Sequence, residues 1–259
     1  MTDVLHETTT DAFLGGRVTL RQPKTGYRAG LDAVLLAAAV PATAGQRVLD
    51  AGAGVGVVGL SIAARVPGCR VTLVERAAPL VAIARDNITH NSFSDRAAVI
   101  EADVTAPLSA CPPLAALRES FDHVAANPPY YVEADGTRAA DPLKDGSHAM
   151  ARGGLEDWAR FCASMAAPGG TCTIVHRADA LPEILQVMGG RFGALIVCPI
   201  FPRRGANANR VLVQGRKGSR APLVIAPGLV LHGGDGNTFT PEATAILRHG
   251  AALDLTAGA

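Results

Sequence analysis

The chain has 259 residues, 24 Lys and Arg against 23 Asp and Glu, and a formal net charge of +1 at pH 7. With 48% hydrophobic and 18% charged residues it is excluded from the disordered class, and its length suits one α/β domain over residues 1–259 with a sizeable core. Its longest apolar run, Ala33 to Val40, is far too short to span a bilayer. Residues Met1 to Ala12 are polar and lack a signal-peptide core, and the cysteines Cys69, Cys111, Cys162, Cys172 and Cys198 show neither a disulfide framework nor metal-ligand spacing. A reducing, cytoplasmic setting is expected, with the cysteines acting as small buried hydrophobes and no metal bound.

Residues 1–45 form a cap segment preceding the glycine loop and include an Ala- and Leu-rich helix over Leu31–Val40; the length of the chain also leaves room for a small appended hairpin, whose place the sequence does not fix. Strands are predicted at Arg47–Asp50, Arg70–Glu75, Ala97–Ala102, Phe121–Ala126, Thr171–His176, Leu195–Ile200 and Arg210–Gln214. Helices are predicted near Val57–Arg65, Pro79–Asn91, Leu155–Ala167 and Ala180–Gly189, and Ala106–Ala116 reads as a Pro-rich surface connector. This alternation implies a doubly wound, mostly parallel sheet with helices on both faces. Ligands of such sheets sit beyond the carboxyl ends of the strands, where Asp50, Glu75, Asp103 and Asn127 all fall.

The first strand runs into Gly52-Ala53-Gly54-Val55-Gly56, where alternate glycines let the backbone turn sharply and approach a ligand. Gly54-x-Gly56-x-x-Gly59 also fits a dinucleotide fingerprint, so NAD(P) competes. In that fingerprint, however, the first glycine follows the strand almost directly. Here Asp50 and Gly52 intervene, and an acid at the mouth repels a pyrophosphate but suits a ligand carrying an ammonium and a sulfonium. S-adenosylmethionine is the favoured ligand. Glu75, ending the second strand, is placed to accept from ribose hydroxyls, the alternative being an ordinary strand terminus. Asp103 is placed either to receive the ligand's adenine amino group or to cap a helix.

Asn127-Pro128-Pro129-Tyr130 follows the apolar run Phe121–Ala126. Two prolines fix two φ angles and remove two donors, giving a stiff turn that presents the Asn127 amide oxygen and backbone carbonyls as acceptors. An exocyclic amino group on a flat heterocycle, or a side-chain carboxamide, donates two N–H bonds to such a turn while Tyr130 stacks on its plane. On that view the ring carries the effect, and Tyr130→Phe is expected to be mild. A plain strand-capping turn is the bland alternative. Tyr131 offers a second stacking face or is only a loop aromatic, and His148, in the long polar loop Val132–Gly154, reads as solvated.

Together, these motifs resemble the class I S-adenosylmethionine-dependent methyltransferases, and among them the enzymes that methylate amino groups. Gln22-Pro23-Lys24-Thr25-Gly26-Tyr27-Arg28-Ala29-Gly30-Leu31-Asp32-Ala33-Val34-Leu35-Leu36-Ala37 resembles the segment preceding the cofactor loop in the bacterial tRNA(Val) adenine-N6 methyltransferase family. The resemblance runs from about residue 12 to the C-terminus. It implies a seven-stranded sheet with the last strand antiparallel, Asp32 beside the cofactor's methionine part, and tRNA as partner. Asp32 could equally be only a favourable charge at a helix start.

Arg203, Arg204, Arg210, Arg216, Lys217 and Arg220 lie within eighteen positions that contain no acid. Such a cluster fits phosphate contact and salt-dependent RNA binding, with a solvated face as the alternative. Two other functions remain open at this point. The same turn suits a protein glutamine-N5 methyltransferase, and a noncatalytic RNA-binding protein could retain a relic cofactor site.

Overall fold

The computed structural model describes residues 7–25, 28–132, 149–150, 154–234 and 236–256. An antiparallel hairpin of β1 (Thr8–Phe13) and β2 (Val18–Pro23) comes first, followed by α1 (Leu31–Ala39). The alternation is then β3 (Arg47–Ala51), α2 (Val57–Arg65), β4 (Arg70–Glu75), α3 (Ala78–His90) and β5 (Ala97–Glu101). The short α4 (Pro112–Ala115) leads into β6 (Phe121–Ala126), and β7 (Tyr131–Val132) pairs with β8 (Ala149–Met150). The chain continues through α5 (Gly154–Met165), β9 (Ala166–Arg177), α6 (Leu181–Gly189), β10 (Phe192–Arg203) and β11 (Arg210–Lys217). Last come β12 (Val224–Ile225), β13 (Leu229–His232) and α7 (Pro241–His249).

The main sheet runs β12-β10-β11-β9-β6-β3-β4-β5, with β13 also on β10. β3, β4, β5, β6 and β9 are mutually parallel, whereas β11 is antiparallel to both neighbours. The expected seven strands are all present, but the described sheet has nine. Two short strands following β11 pair in parallel with β10, too brief to leave a periodic signal. The last of the expected strands, β11, is antiparallel as expected, and it lies between β9 and β10.

Alternation along the strands divides the core. Val48 and Leu73 join α1, α2, α3, the hairpin and α7 on one face; Leu49 and Val74 join α5 and α6 on the other. All of α1 from Ala33 to Ala39 is buried, so it needs no polar face. The connector Ala106–Ala116 is less superficial than expected: it carries α4, whose Leu114 is buried.

Two asparagines secure the hairpin. Asn87 on α3 and Asn91 at its C-cap are one helical turn apart, and Arg21 and Thr19 are two residues apart on β2. Each asparagine accepts from one backbone N–H, at 2.8 and 3.0 Å, and donates to the same residue's carbonyl, at 3.1 and 2.9 Å. Four residues of helix rise about 6 Å and two of strand about 6.6 Å, so the spacings match. The fully buried Asn87 also donates to the Val55 carbonyl in the glycine loop at 3.0 Å. The hairpin further meets the C-terminal helix and α2, where Arg17 donates to the carbonyls of His249 (3.1 Å) and Ala64 (2.9 Å) respectively.

Candidate active site

Chain order turns at β3: β4 and β5 extend the sheet on one side and β6 begins the other. A crevice opens where two neighbouring strands lead away in opposite directions, and it is the usual ligand site of such sheets. The glycine loop leaves β3 there and the Asn127–Tyr130 turn leaves β6 beside it, with Ala51 and Ala126 in register.

The loop is shaped by left-handed glycines, Gly52, Gly54 and Gly56, with φ of 65°, 57° and 95°. A Cβ on Gly52 would lie 2.3 Å from the buried Trp158 ring of α5, and one on Gly56 would lie 2.9 Å from Leu73. Space around a Cβ at Gly54 is open, so the backbone there can be approached closely. Trp158, absent from the sequence-based site, was signalled only by being the single tryptophan.

Asp50 does not line this cleft as expected. It is 1% exposed, and its carboxylate accepts from the Gly59 N–H at 2.9 Å beneath the loop. Burial pushes its pKa up to about 7; the Gly59 N–H opposes this shift and the nearby Glu75 charge adds to it. The acid supports the start of α2 from below. Glu75 is also buried and accepts from Gly54 N–H (2.9 Å) with one oxygen and from Ala77 N–H (2.8 Å) with the other. A carboxylate has about four acceptor positions, so two backbone bonds leave capacity for two ribose hydroxyls. Asp103 accepts from the Thr105 backbone and hydroxyl at 2.8 and 2.7 Å, and Arg76 lies 3.5 Å from its second oxygen. Burial raises its pKa, but the Thr105 bonds and Arg76 outweigh that and hold it below its ordinary value. The Thr105 contacts close a turn and cap no helix, and they use one oxygen while Arg76 lies against the other.

Gln22 brackets Ala29, accepting from its N–H at 2.9 Å and donating to its carbonyl at 3.3 Å, and so sets the start of α1 and Asp32. Asp32 meets the Tyr130 hydroxyl at 2.7 Å and Arg210 Nε at 2.9 Å. The same hydroxyl lies 3.0 Å from Asn127 Oδ1. Arg210 is held over the Tyr130 ring, 5.0 Å from its centroid, and His176 meets that ring edge-on at 4.9 Å. His176 is buried against the turn, and burial lowers its pKa. Pro128 is buried, whereas Asn127, Pro129 and Tyr130 are half-buried at the cleft. The Tyr130 hydroxyl is therefore engaged, contrary to the expectation that only its ring matters.

The basic segment does not form one patch. Arg203, Arg204 and Arg210 lie at the cleft edge of the sheet, but Arg216, Lys217 and Arg220 lie at the opposite end, since β11 runs about 20 Å from Arg210 to Arg216. Arg216 donates to Gly169 O, and Lys217 to Glu119 and to the carbonyls of Ala163 and Ala166. Arg203 binds the Gly234 and Gly236 carbonyls and Asn237, while Arg204 is exposed. The side chain of Tyr131 and the residue His148 lie outside the described residues, as does most of the Val132–Gly154 loop.

Sheet order, glycine loop, acidic ends of β4 and β5, and the Asn-Pro-Pro-Tyr turn define a class I S-adenosylmethionine-dependent methyltransferase. The family pattern described as Methyltransferase small domain matches residues 29–154. An Aeromonas hydrophila tRNA1(Val) (adenine(37)-N6)-methyltransferase is 32% identical over 219 residues, 82% of this chain and 86% of that one. A Chlorobaculum tepidum release factor glutamine methyltransferase is 28% identical over 70% of this chain and 62% of its own. A solved Agrobacterium tumefaciens structure, described as a predicted O-methyltransferase, shares 34% identity with a TM-score of 0.73, covering 86% of this chain and 98% of that one. A Thermus thermophilus 16S rRNA N2 guanosine methyltransferase, solved with AdoMet and guanosine, shares the fold at 20% identity and TM-score 0.53, over 82% of this chain and 50% of that one. The chain belongs to the family of tRNA1(Val) (adenine(37)-N6)-methyltransferases.

Proposed function

We propose that this protein transfers a methyl group from S-adenosylmethionine to the N6 amino group of an adenosine in tRNA, with residues 1–45 capping a single methyltransferase unit. The observation that carries this reading is the Asn127 carboxamide and the Tyr130 ring, set by two prolines beside the glycine loop at the sheet's crossover. S-adenosylmethionine supplies a methyl group already activated on a sulfonium. Gly52, Gly54 and Gly56 line its approach, Glu75 accepts from the ribose hydroxyls, and Asp103 receives the adenine amino group. The acceptor amine donates to the Asn127 oxygen and the Pro128 carbonyl, which favours a pyramidal, more nucleophilic nitrogen and stabilises the charge that develops on it. The face of Tyr130 opposite Arg210 stacks on the acceptor base, replacing stacking lost when it leaves the RNA. Alignment of the two reactants is the main catalytic demand on the protein.

Arg204, together with Arg203 and Arg210 at the same edge, places positive charge beside the cleft for the phosphate backbone. Likeness to a release factor methyltransferase supports a second reading, with a glutamine carboxamide at the same turn. The test incubates purified protein and labelled cofactor with bulk tRNA and, separately, with release factors, then digests and identifies the product. N6-methyladenosine is expected; N5-methylglutamine favours the second reading, and an O-methylated product rejects both. In the tRNA assay Asn127→Ala is expected to lose about 10²–10³ in turnover, the scale of deleting one preorganised hydrogen-bonding group. S-adenosylhomocysteine affinity should change less than about threefold, because the side chain faces the acceptor. Unchanged turnover in this variant would reduce the motif to a strand-capping turn.

A further inference from the structure

Arg21 and Gln22, consecutive on β2, are tied in two different directions. Arg21 is held through its backbone by the fully buried Asn87, which also donates to the Val55 carbonyl of the glycine loop at 3.0 Å. Gln22 is 2% exposed and reaches across the connection to α1. Its Oε1 accepts from the Ala29 N–H at 2.9 Å, while its Nε2 donates to the Ala29 carbonyl at 3.3 Å and to Asp11 Oδ2 at 2.9 Å. Arg28 closes the same neck, donating to Asp11 Oδ2 at 2.6 Å and to the Pro23 carbonyl at 3.1 Å. Helix α1 begins two residues after Ala29 and has no side-chain cap at Gly30, so the Gln22 bracket takes over the placing of its first turn. Asp32 lies in that turn, 2.7 Å from the Tyr130 hydroxyl and 2.9 Å from Arg210 Nε, and Arg210 lies over the Tyr130 ring.

We infer that β2 is an alignment bar between the two halves of the site: Asn87 references it to the cofactor loop, and Gln22 carries that reference to Asp32 and so to the Tyr130 ring. Gln22 is then a positioning residue for methyl transfer, acting through Asp32. The inference rests on the proposed amino-group transfer. Such a transfer needs the amine nitrogen, the methyl carbon and the sulfur in line, and a misplacement of about 1 Å costs about 10²-fold in rate. Strands β3 and β6 align the backbones of the two loops, with Ala51 opposite Ala126, but the Tyr130 side chain lies beyond that register. Asp32 restrains it from α1, whose first turn answers to β2. Consecutive Cα atoms are about 3.8 Å apart across a trans peptide, so a shift of Arg21 with the glycine loop is passed directly to Gln22.

Methylation of bulk tRNA by the full-length protein with labelled S-adenosylmethionine tests the bar, with rates normalised to S-adenosylhomocysteine sites counted by calorimetry. Gln22→Met keeps the length of the side chain and removes its three contacts. It is expected to lower kcat by about 10–100-fold, with KM for tRNA and S-adenosylhomocysteine affinity within about threefold of wild type. If that variant does not fold, Gln22→Asn, which withdraws the amide by one methylene, takes its place with the same expectation. Asn91→Ala loosens the hairpin at Thr19, away from Gln22, and should keep kcat within about threefold. In Tyr130→Leu the ring being placed is gone, so Gln22→Met should cause little further loss of single-turnover rate. A wild-type kcat in the Gln22 variant, a loss confined to KM or to S-adenosylhomocysteine affinity, an equal kcat loss in Asn91→Ala, or additive losses with Tyr130→Leu each overturn the inference. A wild-type protein that binds S-adenosylhomocysteine but methylates no amino acceptor overturns the amino-group reading itself, a result distinct from any behaviour of the Gln22 variants.

Discussion

Gly52→Ala places a methyl group 2.3 Å from the Trp158 ring and puts alanine at a φ of 65°. Left-handed backbone costs alanine about 1–2 kcal/mol, and overpacking a closed site costs about 1–3 kcal/mol, so the variant should lose about 2–5 kcal/mol of stability. The two contributions are separable. Trp158→Phe removes the outer six-membered ring, including the atom the new methyl would strike, at its own cost of about 1–3 kcal/mol for lost packing. In the double variant the steric part disappears while the backbone part remains. The double variant should therefore be more stable than the sum of the single losses predicts, by about 1–3 kcal/mol. Urea unfolding followed by far-UV circular dichroism measures all four proteins, and S-adenosylhomocysteine affinity should follow the same order because Gly52 belongs to the cofactor loop. Additive losses would show that Trp158 does not shape the loop.

The pH dependence of Asp50 has a definite sign. A folded-state pKa of about 7 is above the unfolded value, so the stability this carboxyl provides is full below about pH 4 and is lost as pH rises through about 7. Asp50→Asn should gain on wild type by a few kcal/mol between pH 4 and pH 8 in urea unfolding. His123, kept neutral down to about pH 4 by burial, titrates in both proteins and cancels; a constant offset between the two proteins would refute the assignment. For RNA, Arg204→Glu should weaken tRNA binding and lower the salt slope by about one, whereas Arg220→Glu at the far end should change neither. Equal loss in both variants, measured by filter binding across a salt series, would contradict the proposed edge. As the single tryptophan packs on the glycine loop, S-adenosylhomocysteine should also shift or quench its fluorescence, and a silent titration alongside positive calorimetry would refute that coupling.

The parts of the fold with strong periodicity were legible. Buried strands such as Phe121–Ala126 read as short, mostly apolar runs, and glycine spacing located the loop after β3 because glycine tolerates those φ values beside Trp158 and Leu73. A small hairpin was expected but not placed, and no strand was read before Arg47, since Thr8–Phe13 is polar and its partner surface is made by α3. Linear charge density misled at Arg203–Arg220. An eight-residue strand carries consecutive positives to opposite ends of the sheet, a separation no count of charges can show. Asp32 and Arg210, 178 positions apart, were each assigned separately, and only folding reveals that they share one oxygen beside Tyr130. Asp50 was assigned from its place in the motif, yet a strand residue alternates in facing, and this one points beneath the loop.

The asparagine clasp on β2 has a consequence for the order of assembly. The β1–β2 hairpin is made ahead of its partners as the chain is synthesised: the two asparagines lie 66 and 72 residues later, and the His249 carbonyl that receives Arg17 lies 232 residues later. A two-stranded hairpin has little stability alone, so it stays unsecured until those partners exist. Loop closure over such separations is slow relative to helix formation, so the hairpin, though made before its partners, is locked late. Asn87 then passes that lateness on to the cofactor loop through the Val55 carbonyl. Pulse-labelled hydrogen exchange during refolding should accordingly show Arg21 and Thr19 gaining protection after the strands of the main sheet, with the loop's competence for S-adenosylhomocysteine appearing in the same late phase.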